Sequence, residues 1–150
     1  MKGRAPLVTF VMFLSLGVWA AAPLGHFTVQ AAQGVVKDNR SGLTWERGHS
    51  SAVKSWGEAS DYCAKLSLGG FASGWRLPTA FELETLVDVR EAQPAVDTEA
   101  FPSTPVDLPF WTSTAVAADP TGSQWVLYFS HGALQDQVTS EASLWVRCVR

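Results

Sequence analysis

Few residues of this chain have the types and spacing that chemistry needs. Cys63 and Cys148 are its two cysteines in 150 residues. In an exported domain such a pair closes a disulfide, whereas in a reducing compartment it stays free for redox or metal chemistry. The three histidines, His26, His49 and His131, are isolated, with none at metal-ligand spacing from another. No serine sits in a Gly-x-Ser-x-Gly turn, the signature of a strand–turn–helix nucleophile. Glu82 with Glu84, or Asp97 with Glu99, comes nearest to a carboxylate pair. Residues two apart on a helix face different sides, and two acids in a loop are ordinarily just solvated. The sequence therefore nominates no catalytic residue and implies no cofactor. A metal site stays undetermined: Asp38-Asn39 can open a calcium loop, but the rest of the required spacing is missing.

The meaning of the cysteines turns on the N-terminus. Lys2 and Arg4 precede an apolar run from Leu7 to Ala22, and Val29-Gln30-Ala31 ends in an A-x-A-like pattern. This predicts a signal peptide over residues 1–32, cleaved near Ala31 or Ala32. The alternative is an uncleaved anchor, because the uncharged stretch from Ala5 to Gln30 is long enough to span a bilayer. Pro23, Gly25 and His26 interrupt it and favour the shorter signal segment. The expected location is outside the cell or in the periplasm or envelope. There the thiols oxidise and close a loop of 85 residues, a constraint of roughly 4–5 kcal/mol in the chain-entropy picture.

Without residues 1–32, 118 residues remain, enough for one domain with its own core. Lys2 and Arg4 leave with the leader, so nine basic side chains face fourteen acidic ones, a formal charge of −5. That balance argues against nucleic acid and anionic membranes as partners. Six tryptophans remain, Trp45, Trp56, Trp75, Trp111, Trp125 and Trp145. Large rings at that density fill the core of a small domain, and an exposed one can stack on a sugar ring.

The elements that position these residues are well punctuated. Residues 34–37 and 43–46 are short strand-like runs around the turn formers Asp38–Gly42, a β-hairpin. Ser55 and Glu58 form a capping box, and Trp56, Ala59, Cys63 and Leu66 share one helical face, ending at Gly69-Gly70. Thr79 and Glu82 repeat the device, with Leu83, Leu86 and Val87 inward. Pro78 keeps Leu77 extended, and Arg76 beside it is expected to pair with a carboxylate or to cap carbonyls. Residues 91–109, with four prolines, form a long irregular segment anchored by Val96 and Phe101. Strand-like runs follow at 110–114, 124–129 and 144–149, with turns at 118–122 and 130–132. In the last run Leu144, Val146 and Cys148 make an apolar face, alternating with Trp145 and Arg147. Helices grouped before strands imply an α+β fold.

Five ordered blocks resemble a known family. Asp38–Trp45 is similar to the opening signature of the Lcl C-terminal domain-like family of secreted bacterial domains. Trp56-Gly57-Glu58-Ala59 with Tyr62-Cys63 resembles its first helix. Gly74-Trp75-Arg76-Leu77-Pro78-Thr79 with Glu82-Leu83 resembles its most recognisable motif, and Phe110–Thr114 and Val146–Val149 resemble its later strands. The resemblance covers residues 34–150. It implies a C-type lectin-like fold: two helices on small antiparallel sheets, a long loop region on one side, and a disulfide from the first helix to the last strand. It also implies ligand binding at the long-loop side. The basic cluster that would meet sulfated polysaccharides is missing, as are the calcium-lectin signatures.

The expected function is thus a secreted, non-catalytic binding or adhesion module for a glycan or a surface protein, of unknown oligomeric state. The candidate contacts are Asp97, Asp107, Trp111, Ser113, Asp119 and Gln124. Trp45, Trp56, Trp75, Arg76, Pro78 and Trp145 are expected to be structural. The alternatives are a small exported hydrolase-like enzyme and a structural envelope domain that binds another protein.

Overall fold

A computed structural model describes residues 25–150; the leader expected over 1–32 therefore lies mostly outside the described residues. Two three-stranded antiparallel sheets and two short helices form an α+β domain, as the grouped elements imply. The first sheet contains β1 (Phe27–Gln30), β2 (Val35–Asp38) and β3 (Thr44–Glu46), in that spatial order. β2 and β3 are the expected hairpin. Asp38 folds its carboxylate over the turn, accepting from the Arg40 amide at 2.8 Å and the Ser41 hydroxyl at 2.6 Å. Burial pushes this carboxyl's pKa up, but the hydrogen bonds from Ser41 and Arg40 outweigh it and hold it below the usual carboxylate range. Gly42 completes the turn at φ 78°. β1 falls where the leader is expected, yet its residues pair with β2 from Phe27↔Asp38 to Gln30↔Val35.

The helices start where their caps stand. α1 (Trp56–Lys65) carries the Ser55/Glu58 capping box, and α2 (Ala80–Glu84) the Thr79/Glu82 box. Ala59 and Cys63 face inward from α1, and Ala80 and Leu83 from α2. α1 ends at Lys65, before the expected stop. Gly69-Gly70 instead turns the chain between Leu68 and Phe71, which bridge each other. A Cβ on Gly69 would stand 2.6 Å from Val35 Cγ1, and its φ is +64°, so only glycine fits.

The second sheet contains β4 (Phe110–Val116), β5 (Asp119–Tyr128) and β6 (Ala133–Val138). The turn expected at 118–122 is instead Ala117-Ala118, and Asp119–Gly122 already belongs to β5. β6 is unforeseen: four of its six residues are polar or small, which weakens the strand signal. The expected strand at 144–149 is also corrected. Its residues bridge in turn to Lys54, Phe110, Trp45 and Arg76, so no single ladder forms. Between α2 and β4, residues 85–109 contain no helix or strand. Val96 and Phe101 anchor this stretch, both fully buried.

The closing segment divides the core. Val146 and Cys148 pack with Val35, Ala59, Cys63, Trp75 and Trp111. Trp145 and Val149 point to the other cluster, with Trp45, Leu83, Phe101, Phe110 and Phe129. The Cys63–Cys148 disulfide fastens this segment to α1, with Cα atoms 5.5 Å apart. Arg147, on the face expected to be less apolar, is fully buried as well. The alternation is real, but both faces are internal.

Candidate functional site

The run Trp75–Glu82 sets the start of α2, beside which an apolar groove lies. Pro78 is buried and holds the chain extended into the Thr79 cap. Arg76 forks onto Glu82, with Nη1–Oε2 at 2.8 Å and Nη2–Oε1 at 2.7 Å. Glu82 Oε2 also accepts from the Thr79 amide at 2.8 Å. The hydrogen bond from Arg76, against the opposing effect of burial and with help from Thr79, holds the Glu82 carboxyl down at about 2. The same hydrogen bond raises the Arg76 guanidinium. The helix start is then pinned to β4: the Ala80 amide donates to Thr114 Oγ1 at 2.9 Å, and the Ser113 amide donates to the Pro78 carbonyl at 2.8 Å.

With its first turn fixed, α2 turns Phe81 outward, 76% exposed. Phe81, Ala80 and Glu84 on α2, Thr114 on β4, Trp125 on β5 and Leu134 on β6 line an open groove of about 300 Å³. Its wall is mostly apolar, with one partly buried indole, one exposed ring, and a hydroxyl and a carboxylate beside them. Such a surface can stack a flat or weakly polar face and hydrogen-bond its edge.

A second recess of about 290 Å³ lies between β1, the turn after β2 and the segment after α2. It contains His26, Arg40, Asp88, Arg90 and Asp97. Asp88 is paired with Arg90 at 2.7 Å, and His26 Nε2 stands 3.3 Å from Asp38 Oδ1. The hydrogen bond from Arg90 holds the Asp88 carboxyl below its ordinary value. Among the described residues, no group of three or more His, Cys, Asp or Glu side chains could hold a metal ion.

The expected contact residues do not converge. Trp111 is fully buried, and its indole N–H donates to the Lys54 carbonyl at 2.7 Å, so it is core and not surface. Gln124 is buried too, and its Oε1 has no hydrogen-bond partner among the described residues. Trp111 packs with Ala59 and Cys63 of α1, and Gln124 shares the face of β5 that carries Val126 into the same cluster. Asp97 lines the second recess but spends one oxygen on the Glu99 and Ala100 amides, at 2.9 and 3.0 Å. Asp107 accepts from the Trp145 indole N–H at 3.0 Å, which holds its carboxyl below the usual range. Asp119 spends its carboxylate within the start of β5, accepting from the Gly122 amide at 3.2 Å and the Ser123 hydroxyl at 2.9 Å. Ser113 is exposed and sits next to Thr114.

The tryptophans expected to be structural lie as follows. Trp45 and Trp75 are buried, Trp56 donates to the Thr112 carbonyl at 3.0 Å, and Trp145 packs edge-on against His49 at 5.0 Å. The groove residues Phe81, Thr114, Trp125 and Leu134 escaped the sequence reading. One signal was available: Phe81 lies off the inward stripe of Leu83 and Leu86, so a capped helix must present it to solvent.

The model of the Lcl C-terminal domain family matches residues 34–150. This chain belongs to the Lcl C-terminal domain family. The matched region takes in β2 through the last residue, hence the disulfide, both capping boxes and the whole groove. β1 lies before it. No curated protein matches this Lcl C-terminal domain.

Proposed function

We propose that this Lcl C-terminal domain is a secreted, non-catalytic binding module with C-type lectin-like architecture, and that its groove takes a neutral glycan. One observation carries the reading: Phe81 is held outward by a locked helix start, next to Trp125 across an open apolar groove. Ring faces stack on the apolar faces of pyranoses, and Glu84 and Thr114 offer polar atoms to the hydroxyls. The acidic chain and the Glu84 carboxylate favour neutral sugars over sulfated ones. The disulfide supports a location outside the reducing cytoplasm.

A glycan array followed by titration with cellohexaose and chitohexaose tests this. Phe81→Ala should weaken binding roughly tenfold, from the apolar burial it removes, while the melting temperature stays unchanged. Folded protein that binds no neutral glycan, or binding untouched by Phe81→Ala, defeats the reading. Release of shortened oligosaccharide in the same samples would make it a hydrolase instead.

A further inference from the structure

Strand β1 is built into the domain, and that limits where a leader can end. The Phe27 ring stands edge-on to the fully buried Phe101 ring at 5.2 Å, and His26 stacks on Phe27 at 4.2 Å. The Asn39 amide donates to the His26 carbonyl at 2.9 Å, and the Asn39 side-chain amide to the Gly25 carbonyl and Thr28 Oγ1, each at 2.9 Å. Four residue pairs join β1 to β2. Scission at Ala31 or Ala32 would remove all of these contacts and bare the β2 edge.

The leader's own pattern agrees. The apolar run from Leu7 to Trp19 is 13 residues long and stops at Ala20-Ala21-Ala22. That length falls within the usual hydrophobic region of a signal peptide, and small residues follow it directly. Extended to Ala31, the segment would contain Pro23, His26, Thr28 and Gln30. Pro23 lacks an N–H and has a fixed φ, which disfavours the Ala22–Pro23 bond as the scissile one. The Ala21–Ala22 bond would place the bulky Trp19 third before it, whereas Val18-Trp19-Ala20 puts an A-x-A-like pattern before Ala20–Ala21.

We propose that the leader is removed by hydrolysis of the Ala20–Ala21 bond, so that the mature chain keeps β1 entire. Water adds across that peptide bond, leaving a carboxylate on Ala20 and a free amine on Ala21; the export machinery's leader peptidase supplies the catalyst. The proposal rests on the reading of the chain as exported.

The test is the intact mass and N-terminal peptide of the full chain produced with its own N-terminus in a bacterial host, with thiol titration of the same sample. The expected product begins at Ala21 and has no free thiol. A first residue of Ala32 or Gln33, or any other cleaved terminus, overturns the site and leaves export standing. A chain beginning at Met1 with oxidised cysteines in the membrane fraction overturns cleavage, again without touching export. A full-length cytoplasmic chain with two free thiols overturns export and the proposal together. Ala20→Lys should accumulate precursor, and Ala31→Lys should be processed like the parent; the reverse result refutes the placement.

Discussion

Two neighbouring residues, Arg147 and Cys148, enter opposite halves of the core and hold them in different ways. Cys148 is bonded to Cys63 within an apolar cluster that includes Ala59, Trp75 and Trp111. Its half is held covalently to α1. Arg147 lies fully buried among the rings of Phe101, Phe110 and Phe129, with its guanidinium carbon 4.8, 5.3 and 5.7 Å from their centroids. It donates to the Gly48 carbonyl at 2.8 Å and to Thr104 Oγ1 at 3.0 Å, while Nη1 finds no partner among the described residues. Burial lowers its pKa to about 10, and the more distant Glu46 carboxylate only partly offsets this. Phe101 and Thr104 belong to the irregular segment, so this second half ties a loop to the core through one buried cation. One half gains by restricting the unfolded chain. The other must recover a desolvation penalty through hydrogen bonds and cation–π contacts.

Breaking the covalent half should have the largest effect. Cys63→Ser, or reduction of the native protein, is expected to cost about 2–5 kcal/mol, read as a lower melting temperature under reducing conditions. Identical melting of oxidised and reduced protein would remove the covalent half of the contrast. Arg147→Ala should follow at about 3 kcal/mol, since it leaves a cavity among three rings and frees Thr104 and the Gly48 carbonyl. Arg147→Met sharpens the comparison. If the cation is a net burden, this apolar substitute changes denaturant stability by less than about 1 kcal/mol or increases it; a loss as large as that of alanine would show that the charge itself holds the loop.

Smaller effects distinguish the helix lock from the groove it supports. Glu82→Ala removes the Arg76 fork and half of the capping box, an expected loss of about 1–2 kcal/mol by thermal melting. Because folding holds the Glu82 carboxyl at about 2, below its ordinary 4.5, its contribution is complete above that ordinary value and disappears as pH falls toward 2. The wild-type and Glu82→Ala melting curves should therefore converge over that acid window; a constant gap down to pH 2 contradicts the lock. Phe81→Ala is the smallest change for stability, under about 0.5 kcal/mol at an exposed site, although it is the groove's most exposed ring.

Local signals survived into the structure wherever a few adjacent residues settle the outcome. Ser55 with Glu58, and Thr79 with Glu82, cap helices because the satisfied amides are three residues away. Asp38 through Gly42 turns the hairpin for the same kind of reason. Residues 144–149 read as a strand, yet their partners come from four separate parts of the chain, which no local pattern encodes. β6 is polar because none of its residues is buried, so it carries little of the apolar alternation that marks a strand. Trp111 and Gln124 are expected contacts because they lie on strands beside the long loop, yet both are buried, since a place next to a loop does not say which face of a strand is covered. The groove was invisible for the related reason that α2, β4, β5 and β6 meet only after the sheet has formed.

The amino-acid sequence by itself determined the caps, the hairpin turn, the α+β class, the family and the existence of two thiols, all properties of neighbouring residues or of ordered blocks. Only the tertiary structure decided that both faces of the final segment are interior, that an arginine sits among three rings, that Phe27–Gln30 is a strand of the domain, and that Phe81 and Trp125 share a groove. Those outcomes depend on what packs against each face, and burial is a property of the assembled chain, not of the residue that undergoes it.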